Sequence, residues 1–218
     1  TVGPDPVLSF EVNANNGPTA LPLVDGSFTN DTTPVLSGTA QAGAIINLLQ
    51  DDTVIGSVVA DANGAWRFET SALQDGSYAF SVQVVDAAGN VSEPVGPVNI
   101  TVDTLVPDAV PDLVVADNVG GTTGPLDNGA STDDNTPTLS GTAEAGSTVN
   151  IYDGTTLLGT ALAGSGGAWS FTTAALNNGP HSFTVTVTDA AGNVSTATPA
   201  FSLDVQADLP PATPPLQI

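Results

Sequence analysis

The amino-acid sequence predicts an all-β protein built from two tandem copies of one β-sandwich. Along most segments apolar and polar residues alternate with a period of two, which is the pattern of half-buried strands. Gly, Asn and Asp punctuate this alternation about every eight to twelve residues, as expected for turns between short strands. The same landmarks recur at a constant interval of 103 residues. Together these observations favour two domains that share one all-β fold.

The internal repeat is visible as near-identical segments. TPVLSGTAQAG at residues 33–43 aligns with TPTLSGTAEAG at residues 136–146. DAAGNVS occurs at residues 86–92 and again at residues 189–195. No gap is needed between these pairs, so the chain is a tandem array whose unit has the size of an ordinary domain.

The repeat sets the domain boundaries. Unit one is assigned to residues 1–103 and unit two to residues 104–206. Residues 207–218 are predicted to be a linker or the start of a third repeat, because the proline pattern of residues 107–113 begins again there. The sequence starts without Met or a signal-like segment, and we expect a monomeric fragment of a longer protein.

Each unit is predicted to contain about seven short strands, lettered A, B, C, C′, E, F and G. In unit one these are residues 7–12, 35–40, 45–50, 54–60, 65–70, 77–86 and 97–102. Phe80 and Val82 share one face of strand F, and Trp66 and Phe68 share one face of strand E, so the core is expected there. This strand pattern indicates two immunoglobulin-like sandwiches arranged end to end. The A–B connection, residues 13–33, is expected to be the least ordered part.

The chain is strongly acidic. It has 23 Asp and Glu residues against one Arg, which gives a formal net charge of -22. Phosphate binding requires clusters of Lys and Arg, so the composition argues against nucleic acid and anionic membrane surfaces as partners. No apolar run is long enough for membrane insertion, and the lack of Cys excludes disulfides and thiolate chemistry. Most carboxylates must be neutralised by something other than basic side chains.

Strand polarity sorts the acidic residues into two poles. With alternating strand directions, the A–B, C–C′ and E–F loops gather at the C-terminal pole of a sandwich and the other loops at its N-terminal pole. The C-terminal pole of unit one is expected to hold Asp25, Asp31, Asp51, Asp52, Asp75 and Asp103. The N-terminal pole of unit two is expected to hold Asp108, Asp189 and Asn193, whose counterparts in unit one include Asp5 and Asp86.

These acids predict a metal site at the junction of the two units. The connecting segment VDTLVPD, residues 102–108, is too short to hold the poles far apart. Close carboxylates repel by roughly 1 kcal/mol per pair even in water, which favours a bound hard cation. Ca²⁺ fits best because it accepts about six to eight oxygen ligands in loose geometry. The predicted metal ligands are Asp103, Asp108, Asp189, Asn193, Asp75, Asp31, Asp5 and Asp86.

A simpler interpretation of the F–G loop stays open. Asp and Asn followed by Gly are common turn residues, so DAAGN is also typical of a plain turn without a ligand. The junction after unit two differs, because Gln206 replaces Asp103 and Pro211 replaces Asp108 in the repeat register. A poorer or absent cation site is predicted there.

Several motifs resemble a known family. TPTLSGTAEAGSTVNIY, GAWSF, TDAAGNVS and VDTLVP are together similar to the bacterial Ig-like repeats of giant surface adhesins and biofilm-associated proteins, including type I secreted ones. The resemblance covers both units. It implies a secreted or cell-surface rod of many repeats, stiffened by Ca²⁺ at domain junctions, with a separate module for adhesion. The expected partners are neighbouring repeats of the same chain, and host-cell or biofilm components bound through other modules.

Three functional hypotheses follow. The first is a calcium-stiffened spacer that projects an adhesive module from the cell surface. The second is a carbohydrate- or protein-binding sandwich, which needs an exposed aromatic platform, whereas Trp66 and Trp169 are in phase with core residues. The third, an enzyme, is disfavoured because His181 is the only histidine and its position is typical of a corner residue. Arg67 is expected to be a solvated surface residue.

Overall fold

The structure is a computed structural model that describes residues 3–15, 17, 20–121 and 123–207. The chain divides into two compact units, the first ending at Leu105 and the second beginning at Val106. Every regular element in the described residues is a β-strand. Those residues contain no helix that is long and apolar enough to cross a membrane. The predicted linker or third repeat at residues 207–218 lies outside the described residues except for Ala207.

Unit one has nine strands in its described residues. They are β1 (Ser9–Ala14), β2 (Leu21–Leu23), β3 (Ser27–Thr29), β4 (Val35–Thr39), β5 (Ile45–Gln50), β6 (Thr53–Val59), β7 (Ala65–Glu69), β8 (Gly76–Val85) and β9 (Val95–Val102). One sheet has the order β2-β1-β4-β7 and the other the order β3-β9-β8-β5-β6. The pairs are antiparallel except for β3 and β9, which are parallel.

Unit two repeats this arrangement. Its strands are β10 (Val114–Asp117), β11 (Gly124–Pro125), β12 (Ala130–Thr132), β13 (Thr138–Thr142), β14 (Thr148–Asp153), β15 (Thr156–Leu162), β16 (Ala168–Thr172), β17 (Gly179–Thr188) and β18 (Phe201–Val205). The sheets have the orders β11-β10-β13-β16 and β12-β18-β17-β14-β15. The all-β class and the two immunoglobulin-like sandwiches are therefore confirmed, with β1, β4, β5, β6, β7, β8 and β9 as strands A, B, C, C′, E, F and G of unit one.

The A–B connection contains two strands that the sequence analysis missed. β2 extends the sheet that contains β1, and β3 pairs in parallel with the last strand of the unit, β9. Two further backbone bonds continue the parallel pairing, from Gly26 N to Asn99 O at 2.8 Å and from Asp103 N to Thr29 O at 2.9 Å. The connection thus ties the first half of the unit to its last strand instead of forming an irregular loop.

The core of each unit lies between its two sheets, where the period-two pattern places it. Phe80 and Val82 on β8 are fully buried, and Trp66 on β7 is 5% exposed. Phe68 is partly buried and packs against this cluster. Phe183, Val185 and Trp169 repeat the arrangement in unit two. The prediction that these residues form the core is therefore confirmed.

Candidate functional site

Two predicted ligands lie together where β9 leaves unit one. Asp75, in the E–F loop, accepts hydrogen bonds at Oδ1 from Thr104 N at 3.0 Å and Thr104 Oγ1 at 2.9 Å. Asp103 Oδ1 accepts from Leu105 N at 3.0 Å, which is a turn formed by its own side chain. Asp75 is exposed and Asp103 half-buried. Both carboxylates therefore shape the start of the connecting segment.

Asp31 is a structural carboxylate in the described residues. Its side chain is only 4% exposed. Oδ2 accepts from Asn15 N at 2.6 Å, and Oδ1 accepts from Thr33 N at 2.9 Å and Thr33 Oγ1 at 3.3 Å. Asp134 has the equivalent bonds to Asn118 N and Thr136 in unit two and is fully buried. Burial of a carboxylate requires such partners, and both lone-pair sets of Asp31 are engaged by the A–B corner.

Other acids of the predicted C-terminal pole are displaced along the strands. Asp25 Oδ1 accepts from Asn99 N and Nδ2 at 2.9 and 2.7 Å, and Asp51 Oδ1 accepts from Ala79 N at 3.0 Å. Ala79 pairs with Asn99, three positions before Val102. Three residues of strand correspond to roughly 10 Å, so Asp25 and Asp51 form a group apart from Asp75 and Asp103.

The duplicated DAAGN loop is held by its own Asp and Asn. Asp86 accepts from Ala88 N at 2.9 Å, from Asn90 N at 2.8 Å and from Asn90 Nδ2 at 2.7 Å. Asp189 accepts from Ala191 N, Asn193 N and Asn193 Nδ2 at 2.9, 2.8 and 2.9 Å. The side-chain and backbone bonds from Asn90 hold the pKa of Asp86 below its usual value. These contacts explain the duplicated sequence as a turn that closes the F–G loop.

Asp5 and Asp108 occupy equivalent exposed grooves. In unit one a groove of about 720 Å³ is lined by Asp5, Gln41 and neighbouring residues. In unit two a groove of about 560 Å³ is lined by Asp108, Glu144 and their neighbours. Asp108 therefore shares a groove with the B–C turn, whereas the carboxylate of Asp189 is engaged within the F–G loop.

The described residues do not assemble the predicted ligands into a metal cluster. Among residues 3–15, 17, 20–121 and 123–207, no group of three or more His, Cys, Asp or Glu side chains is arranged to hold an ion. Asp75 and Asp103 of unit one nevertheless supply carboxylate oxygens, the donors that a hard cation prefers. After unit two, Gln206 Nε2 donates to Asp204, and Pro211 lies outside the described residues.

Comparison with known proteins identifies the family. Residues 23–104 and residues 109–207 each match the bacterial Ig-like domain. The chain belongs to the bacterial Ig-like domain family. No curated protein matches it.

Several solved structures resemble the paired Ig-like domains. The fibronectin(III)-like modules of Clostridium thermocellum CbhA are 15% identical, with 93% of this chain and 97% of theirs covered and a TM-score of 0.52. The BSP domain of a biofilm-associated protein is 18% identical, with 85% and 29% covered and a TM-score of 0.30. Invasin, a bacterial integrin-binding protein, is 16% identical, with 92% and 39% covered and a TM-score of 0.30. The chain thus spans less than half of the latter two, and identities this low bear on the fold alone.

The E–F corner differs between the two Ig-like domains. In the first, Tyr78 Oη donates to Gln74 O at 2.8 Å. In the second, His181 Nε2 lies 2.8 Å from Asn177 O, and its Nδ1 lies 2.7 Å from Asp153 Oδ2. The prediction that His181 is a corner residue is confirmed, and its pairing with a carboxylate is an additional finding.

Sequence reasoning missed two carboxylates of the second Ig-like domain. Asp153, the last residue of β14, faces His181, whereas Gln50 stands at the same repeat position. Asp117 is 6% exposed and accepts from Thr132 Oγ1 at 2.6 Å. A position-by-position comparison of the repeats could have indicated the contact between Asp153 and His181, because Gln50 and Tyr78 of unit one are both replaced in unit two.

The aromatic and basic side chains lie where the sequence predicts. Trp66 and Trp169 are 5% and 4% exposed, so the expected core burial is confirmed and neither ring offers a surface platform. Arg67 lies 3.4 Å from Glu69, with 56% and 49% of the two side chains exposed. An ion pair this exposed contributes little to stability. Arg67 is therefore a solvated surface residue, as expected.

Proposed function

We propose that this chain is a non-catalytic spacer segment of a secreted or surface-attached bacterial adhesin. The observation that carries the proposal is the gapless duplication of one Ig-like sandwich, with a net charge of -22 spread over both copies. Tandem sandwiches joined by short segments are suited to spanning distance, and a high like charge keeps such chains soluble and apart. Membership of a domain family that is generally non-enzymatic supports the same function.

The partners in this proposal are other parts of the same protein. Neighbouring Ig-like repeats of the chain provide length, and host-cell or biofilm components are bound by other modules. Trp66 and Trp169 are buried, so neither ring is available as a sugar-binding platform, which favours this proposal over a carbohydrate-binding module.

The second part of the proposal concerns Ca²⁺. Calcium, when bound, would neutralise the carboxylates in and beside residues 102–108 and stiffen this segment. Asp75, Asp103 and Asp108 are the residues that would hold it. Their support is chemical: three carboxylates lie near one short segment, and the chain contains one Arg and no Lys to balance them.

Calorimetric titration tests the calcium proposal. The chelator-treated chain is titrated with CaCl₂ and separately with MgCl₂, and thermal unfolding is recorded in both. A ligand that binds only the folded state raises stability by about 2.7 kcal/mol at a hundred times its Kd. We expect a saturable heat and a higher Tm with Ca²⁺. Small-angle scattering then reports whether the average length of the chain increases.

Two variants separate the site from the fold. The first variant, Asp75→Asn, introduces the residue that unit two already has at this position. There Asn178 Oδ1 accepts a hydrogen bond from Ala207 N at 3.1 Å, so we expect the variant to keep the fold. Asp52→Asn, in the exposed C–C′ turn, removes the same charge elsewhere. Weaker Ca²⁺ binding by Asp75→Asn alone supports the proposal. Equal binding by both variants, or no saturable heat in the parent, rules out this site.

A further inference from the structure

The corner of unit two places a histidine between two hydrogen-bond acceptors. His181 Nδ1 lies 2.7 Å from Asp153 Oδ2, and Nε2 lies 2.8 Å from the backbone oxygen of Asn177. The side chains of His181 and Asp153 are 12% and 24% exposed, so water has limited access to either atom. The ring also stacks on Phe183, with a centroid separation of 6.0 Å. Packing and both nitrogens therefore fix the orientation of the imidazole.

Only one protonation state satisfies both contacts. A neutral imidazole has one N–H and one lone pair, whereas the imidazolium has two N–H groups. A backbone carbonyl and an ionised carboxylate accept hydrogen bonds and donate none. The imidazolium donates to Asn177 and Asp153 together. The neutral ring leaves one of these acceptors opposite a lone pair, which weakens the corner.

The charges around the ring are all negative. β14 contributes Asp153, whose Oδ1 also accepts from Ser182 N at 2.8 Å. β18 contributes Asp204, opposite Pro180 in the strand pairing. The E–F loop, residues 173–178, contains no titratable side chain. The sequence contains no Lys and one Arg, and this residue, Arg67, belongs to unit one.

Burial alone would lower the pKa of His181, because it penalises the charged ring. The hydrogen bonds to Asp153 and Asn177, with the negative charges of Asp153 and Asp204, outweigh it and raise the pKa above its usual value. The contacts and the charges therefore favour the same protonation state.

Unit one provides an internal control. Tyr78 occupies the position of His181 and donates to Gln74 O at 2.8 Å, the same corner bond. Gln50 occupies the position of Asp153. The two positions thus differ together between the repeats. The corner of unit one therefore lacks the histidine–carboxylate pair of unit two.

We propose that the Asp153–His181–Asn177 corner is a proton-dependent switch that strengthens unit two in mildly acidic surroundings, while the corner of unit one has no histidine to act in this way. The proton on His181 ties the C–C′ hairpin to the E–F loop, and its loss releases one of the two bonds. Because the pKa of His181 is higher in the folded state, the stabilisation is complete below the unfolded pKa of about 6.5. It is lost as pH rises through the folded pKa. This inference does not depend on calcium or on the spacer function.

The composition makes the test unusually clean. The chain has one His and no Cys, so His181 is the only side chain expected to titrate between about pH 6 and 9. Each unit also has one Trp, and Trp169 reports on unit two in a Trp66→Phe background. In the full chain, NMR of the single imidazole gives its folded pKa. Urea unfolding followed through Trp169 gives the stability of unit two at each pH.

The matched control transplants the corner of unit one. The double variant Asp153→Gln/His181→Tyr contains the same pair of residues, Gln and Tyr, that unit one has at these positions. The variant keeps the α-amino group, which is the other group that titrates in this pH range. In the parent, the unfolding constant of unit two should increase at pH 9 relative to pH 6, by about tenfold for each unit of elevation in the pKa of His181. The transplanted variant should lose this increase.

Two results would overturn the inference. One is an imidazole pKa at or below about 6.5 in the folded chain. The other is the same pH dependence in the parent and in the transplanted variant, which would assign the effect to the α-amino group. If the transplanted variant does not fold, Asp153→Asn replaces it as the second variant. That substitution removes the negative acceptor and should lower the pKa of His181, and an unchanged pKa would contradict the proposed pairing.

Discussion

Replacement of Asp31 by Ala is the sharpest test of how this protein uses its carboxylates. The strand polarity argument predicts that Asp31 is a metal ligand. In the structure its carboxylate accepts hydrogen bonds from Asn15 and Thr33, at the two ends of the A–B connection. In Asp31→Ala, the N–H groups of Asn15 and Thr33 lose their partner in a partly buried site. Asn15 directly follows β1 and Thr33 lies two residues before β4, so the loss acts on both ends of the A–B connection in unit one.

The expected magnitude follows from those bonds. A buried donor left without an acceptor costs about 1–3 kcal/mol. Two such N–H groups, partly relieved by entering water, give a loss of about 2–4 kcal/mol. One kcal/mol lowers the Tm of a domain of about 100 residues by roughly 4–8 °C, so we expect the Tm of unit one to fall by about 10–30 °C.

Differential scanning calorimetry in chelator and again in CaCl₂ measures this loss. A structural carboxylate gives the same loss in both buffers. Asp134→Ala should destabilise unit two in the same way, because its side chain is fully buried in the equivalent contacts. Glu93→Ala removes one charge from an exposed position and should change little. A loss that occurs only in the presence of Ca²⁺ would refute the structural interpretation and support Asp31 as a metal ligand.

Three further outcomes are expected. Carboxyl NMR should place the pKa of Asp86 below the ordinary value of an aspartate side chain, and Asn90→Ala should raise this pKa. The stability that Asp86 contributes is present above its unfolded pKa and is lost as pH falls through the lowered folded pKa. Gly38→Ala should destabilise unit one strongly, since its Cβ would lie 2.0 Å from Ser9 O, whereas calorimetry of Gly141→Ala should show a smaller loss because the nearest atoms are 3.1 Å away. Acrylamide should quench the tryptophans weakly until the protein unfolds, and strong quenching in the native state would contradict their burial.

Most of the fold could be predicted because strong period-two alternation marks the longer strands. β5 begins and ends where the pattern predicts, and Phe80 and Trp66 lie in the core as expected. β2 and β3 could not be found in this way, because three residues are too few to establish a period. β3 also gains its partner from β9, more than 70 positions along the chain. Long-range pairing of so short a strand leaves no local signal.

The candidate site was less predictable than the fold. Strand direction assigns each loop to one pole of the sandwich, but it does not say how far along the sheet a side chain lies or whether it is buried. The C–C′ hairpin turns where Gln50 pairs with Phe80, while β8 continues back to Gly76 at the pole. Asp51 is therefore remote from Asp75 although both follow strands with the same direction. Hydrogen bonds within the F–G loop give the repeated Asp and Asn a structural role, and their role as metal ligands stays a prediction.

At two positions an Asp of unit one is replaced by an Asn in unit two, and these replacements show whether the fold requires a negative charge there. Asp25 Oδ1 accepts from Asn99 N at 2.9 Å, and in unit two Asn128 Oδ1 accepts from Ser202 N at 2.8 Å. The E–F loop shows the same exchange, because Asp75 in unit one and an Asn in unit two accept equivalent backbone bonds. At both positions the fold requires an oxygen acceptor, which a neutral amide provides as well as a carboxylate. The negative charge at these positions of unit one is thus not required for folding, and its effects can be measured with Asp→Asn variants that retain the sandwich.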